Sequence, residues 1–154
     1  MAALSDYLES GLLHHIFRGE TFAKPVHVAV ALTSGVIVDS DTGVTIQELS
    51  SGDGVNSTGY ARISLHAPAT SGNDKWSYNT ADHSAGSGVI KNGVDFVFEQ
   101  ALQDWGWVSG IALVDTQVHQ EGNLLMHAQL DNPRIIYTGD SVKFSTSTLQ
   151  VSFK

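Results

Sequence analysis

Cysteine is absent from this chain. That one absence removes disulfide scaffolds, thiolate metal sites and cysteine nucleophiles together. Cations are scarce as well: eight Lys and Arg face sixteen Asp and Glu, for a formal net charge of −8. Nucleic acid needs a cationic footprint, and no basic run supplies one. An anionic membrane surface is disfavoured for the same reason. No apolar run approaches the length of a membrane span. Met1 to Asp6 show no basic segment leading into an apolar one, so no signal peptide is expected. The chain is expected to be intracellular when made. Proline is rare, at three residues.

What remains is a chain of 154 residues with 42% apolar content, enough for one domain with a real core. Its 15 glycines separate many short apolar or alternating runs, the composition of an all-β protein. The acidic excess suits a protein that stays soluble and monodisperse at high local concentration.

The first element reads as a helix. Leu4, Leu8, Leu12 and Ile16 recur every four residues, joined by Leu13 and Phe17. Asp6 and Glu9 can form a capping box, with Ser5 as the alternative cap, and Gly19 suits a left-handed terminus. The spacing therefore predicts a helix from about residue 6 to about residue 17. So short a helix with so broad an apolar face must pack on the sheet or on another subunit.

Strands follow. Val26, Val28, Val30 and Leu32 alternate with small or weakly polar residues, so this strand is expected to be covered on both faces. A short edge strand is expected at 44–49, between the turn clusters at 39–43 and 50–54. Tyr60 to His66 reads as a strand with Ala61, Ile63 and Leu65 on one face. Ala67 to Gly88 is a long polar excursion holding Trp76 and Tyr78, and it is expected to be ordered mainly by a partner. Val89 and Ile90 precede an Asn92-Gly93 turn signal. Val94, Phe96 and Phe98 then alternate inward. Four further strands are expected near 107–115, 123–130, 134–138 and 141–153.

Seven histidines raise the question of a metal. His14 and His15 are adjacent, so they diverge around a helix. His27, His66, His119 and His127 fall on separate strands or their ends. No pair has ligand spacing, so no metal is expected. Asp39 to Gly43 begins like a calcium loop but fails where Gly43, Val44 and Ser50 stand. Gly52 and Gly54 begin a dinucleotide fingerprint that lacks its third glycine at Ser57. No nucleophile elbow exists, and no activated serine stands beside Asp115 and His119. No catalytic residue and no cofactor are expected. Trp105 and Trp107, two apart, should share one strand face within a core or an interface.

The order of short motifs then becomes informative. Leu4 through Gly19, Pro25 through Thr33, and Gly59 through Arg62 open the series. Trp105 through Val108, Ile111 through Asp115, Gly122 through Leu125, and the Gly139-Asp140 pair complete it. Together they resemble a family of small virion structural proteins of tailed bacteriophages, over most of the chain. The segments 34–57 and 67–88 are longer than that family's pattern. The resemblance implies a virion component without enzymatic activity, leaving capsid and tail locations open.

The combined expectation is an all-β, two-layer antiparallel β-sandwich with a short N-terminal helix. The helix occupies 1–19, within the same domain or as an interface arm, and the sandwich occupies 20–154. The expected role is a capsid decoration or cement protein on the outer capsid surface, made in the host cytoplasm. The alternative is a tail, baseplate or fibre-associated component with a host-glycan surface. Expected partners are the major capsid protein or a neighbouring virion protein, and a second or third copy of the chain. Leu8, Leu12, Phe17, Trp76 and Tyr78 are the candidate interface residues.

Overall fold

The computed structural model describes residues 2–66, 76–77 and 89–152. It is an all-β, two-layer antiparallel sandwich with one short helix. The chain opens with β1 (Ala2–Leu4) and α1 (Asp6–Arg18). Then come β2 (His27–Thr33), β3 (Ile63–His66), β4 (Trp76–Ser77) and β5 (Val89–Asn92). The final stretch holds β6 (Phe96–Val97), β7 (Gly106–Val114), β8 (Leu124–Ile136), β9 (Lys143–Phe144) and β10 (Gln150–Ser152). One layer is a five-stranded sheet in the order β1-β8-β7-β2-β3. The facing layer is built from β10-β5-β4 and the pair β6-β9.

The main core lies between these layers. Val30 and Leu32 of β2, Val108 and Ile111 of β7, and Met126 of β8 meet Phe96, Phe98 and Val151 from the other side. The strand β2 is buried on both faces, as its pattern implies. Its second face carries Ala29 and Ala31, which join Ala112, Val114 and Leu124. These small side chains let Ile37 and Ile46, from the irregular stretch after β2, close over the sheet.

The helix runs one residue further than its pattern predicts. Ser5 is the N-cap: its hydroxyl accepts the Leu8 N–H at 3.3 Å. Fully buried, that hydroxyl also donates toward the Leu124 and Leu125 carbonyls. Gly19 ends the helix in the left-handed region, at φ 68°. Leu4 belongs not to the helix but to β1, opposite Met126. A three-residue strand leaves too little alternation to be seen in the sequence.

Three further expectations change. The 44–49 stretch is a turn rather than a strand, apart from a single bridge between Glu48 and Thr33. Local bonds among Asp41, Thr42 and Thr45 hold it curled, the competition that hydroxyl and carboxylate side chains offer to a ladder. The strands expected at 123–130 and 134–138 are one strand, β8. Its register against β7 jumps from Gln129 opposite Gly110 to Arg134 opposite Val108. Pro133, which has no N–H to give, sits in the segment that bows out. Finally, the 141–153 stretch splits into β9 and β10 around Ser147, which has a left-handed φ of 65°.

Asn92 organises that split. It is fully buried. Its amide nitrogen donates to the Val94 and Ser145 carbonyls, each at 2.8 Å, and its side-chain oxygen accepts the Leu149 N–H at 2.8 Å. The residue acts through its side chain, joining β5 to the chain that returns between β9 and β10.

Candidate functional site

The sequence-predicted interface residues fall in two places. Leu8 and Leu12 lie half-buried on α1, while Phe17 stands out in solvent on the same helix. No α1 residue is fully buried. Phe22 folds back over Gly11, where any β-carbon would meet its ring, and packs tilted against Tyr7 at 5.7 Å. Trp76 lies on β4, half-buried, edge-to-face with Phe96 at 6.0 Å. Tyr78 lies outside the described residues. The helix residues and Trp76 thus sit on separate elements.

Trp105 and Trp107 do not share a face. Gly106 between them has φ 76°, a left-handed turn of the backbone that breaks the alternation. Trp105 is 8% exposed and donates its indole N–H to the Thr58 carbonyl at 2.8 Å. It packs edge-on to Tyr60 and Phe98. Trp107 is 50% exposed, opposite Ile135 in the register.

The histidines also disperse. His14 pairs with Glu20, His15 meets the Glu20 carbonyl, and His119 meets the Leu49 carbonyl. His127 pairs with Asp39 at 2.9 Å. His27 lies opposite His66 in the β2–β3 register. Among the described residues no three His, Asp or Glu side chains converge as a metal would require.

The most highly organised polar cluster was not visible in the sequence. Arg62 and Glu48 are both sealed from solvent and meet at 2.8 Å and 2.7 Å through two parallel bonds. The remaining guanidinium N–H groups go to the carbonyls of Gly43, Thr116 and Glu121. All five donors are therefore used. Glu48 also accepts the Tyr60 hydroxyl at 2.9 Å and the Gln120 N–H at 3.2 Å. Tyr60 in turn accepts the Leu32 N–H at 2.9 Å. Burial, then the Glu48 charge, pushes the Tyr60 phenol well above its ordinary range. Chemically, such a saturated cluster has no donor, acceptor or nucleophile left for a substrate. It fastens the turn at 43–48 and the loop at 116–121 to the chain entering β3. Its only sequence signal is one Arg and one Glu fourteen residues apart.

One surface groove is large enough to notice, about 700 Å³. It opens where β8 bows out, with Val108, Ile136 and Phe144 below and Asp131, Asn132 and Arg134 along the rim. Nearby Lys143 is occupied by Asp95. That pairing, with two bonds from Thr146, lowers the Asp95 carboxyl to about 2. Asp104 is lowered likewise by bonds from Thr138.

No helix among the described residues is long and apolar enough to cross a membrane. Comparison with curated proteins gives no match. The family model described as podophage GP4 fiber I protein gp80 matches residues 3–152, a span that runs from β1 to β10 and takes in both layers of the sandwich. On that match the chain belongs to the podophage GP4 fiber I protein gp80 family, a family of tailed-phage virion structural proteins.

Proposed function

We propose that this virion protein is a non-enzymatic building block of a fibre attached to the phage particle. The observation that carries the reading is the family match, whose description names a fibre protein, across nearly the whole chain. The geometry is in keeping with it. The organised polar cluster is a saturated staple, and the sandwich is a rigid body that carries an apolar helix face on its outside. Contact between neighbouring subunits is what such a body offers.

The competing reading is decoration of the outer capsid surface, with the major capsid protein as partner. Small size and acidic charge suit it equally, but the family description favours the fibre. Cryo-electron microscopy of particles carrying an antibody-labelled copy decides between them. Label confined to the tail or to fibres supports the proposal. Label spread over the icosahedral shell overturns it in favour of decoration.

A further inference from the structure

The outer stripe of α1 has an arrangement that the sandwich does not use. Leu13, Ile16 and Phe17 are 55%, 66% and 78% exposed. With Asp6 and Glu9 they follow the spacing i, i+3, i+7, i+10 and i+11, which places all five along one side of a helix. The stripe is therefore acidic over its first turn and a half, and apolar beyond. Both carboxylates are exposed, and among the described residues neither pairs with a cation. The helix's own cations lie off the stripe: Arg18 and His14 are both turned to Glu20.

This charge pattern discriminates between occupants. Two copies packed antiparallel on the stripe would press the Asp6 and Glu9 carboxylates of one against Ile16 and Phe17 of the other. Packed in parallel, they would bring like charges together. Either arrangement buries carboxylates without partners, on a chain whose net charge is already −8. An apolar groove with a cationic end satisfies both halves at once, the helix-in-groove mode of recognition. Resting on the virion reading above, we infer that α1 docks through Leu13, Ile16 and Phe17 into an apolar groove of a different virion protein, with Lys or Arg of that protein facing Asp6 and Glu9.

The test places a photoreactive residue at position 16 in particles that contain the full chain, and maps the cross-links by mass spectrometry. The expected product joins position 16 to another virion protein, at an apolar segment flanked by Lys or Arg. Cross-links to a second copy, to residues 67–88 of the same chain, or to nothing overturn the inference. Absence of the chain from purified particles would instead sink the virion reading itself. Phe17→Asp supplies an independent measurement. It should cut incorporation into particles about tenfold or more, the scale of a lost interface anchor. Its own thermal midpoint should stay within about 2 °C of the parent's, as suits a solvent-facing site. Normal incorporation of Phe17→Asp also overturns the docking.

Discussion

Arg62 grips Glu48 with two parallel hydrogen bonds, and neither side chain reaches solvent. Around the pair, three backbone carbonyls and the Tyr60 hydroxyl use up the remaining valences. Removing one partner leaves the other charge buried and unpaired. Arg62→Met should therefore cost about 3–5 kcal/mol, read by urea unfolding. Adding Glu48→Leu to it should recover part of that loss, because no lone carboxylate then remains. A double variant much less stable than the single one would show that the carbonyl bonds of Arg62, not its charge pairing, dominate.

The two neighbouring tryptophans should respond in opposite ways. Trp105 fills the core and satisfies the Thr58 carbonyl, so Trp105→Ala should cost about 3–5 kcal/mol. Trp107→Ala removes only a half-exposed cross-strand neighbour of Ile135, and should cost under about 1 kcal/mol. Equal losses in the two variants would mean that Trp107 is covered in solution.

Glycines with left-handed backbones separate strain from crowding. Gly19 has φ 68° and open space where a β-carbon would stand. Gly122 has φ 81°, and a β-carbon there would lie 2.4 Å from the Asp115 carboxylate. That carboxylate holds Asn123 through two bonds of 2.7 Å. Gly19→Ala should cost about 1 kcal/mol from conformation alone. Gly122→Ala adds displacement of Asp115, and its unfolding midpoint should fall further than that of Gly19→Ala.

Acid should loosen the joint between β6 and β9. The Asp95 carboxyl is lowered from its ordinary 3.8 to about 2, first by Lys143 and then by Thr146. A depressed folded value means that its contribution is fully present above pH 3.8 and is lost as pH falls toward about 2. Asp95→Asn should therefore be less stable than the parent at neutral pH, with the gap closing across that acid window. A gap independent of pH between 2 and 5 would refute the assignment.

Much of this fold was legible because its signals are local. Ser5 to Gly19 carry cap, period and terminator within one helix, and the structure departs from that reading only at Arg18. Val28 to Leu32 announce a strand buried on two sides, since both alternating sets are small or apolar. The 3–152 family match followed the same ordered motifs that the sequence displayed. What stayed hidden depends on partners distant in the chain. Asn92 looks like a turn former beside Gly93, yet its role comes from Ser145 and Leu149. Glu48 sits in a polar stretch that any reading would place in water. Only the fold brings Arg62 over it and closes the loops above, so that desolvation turns two ordinary charges into a mutual requirement. By itself the sequence determined the helix, most of the strands and the virion family, because periodicity and motif order are properties of the chain. Tertiary structure alone decided which tryptophan is core, which charges are sealed, and which face of α1 stays uncovered, because burial depends on what the rest of the chain brings near.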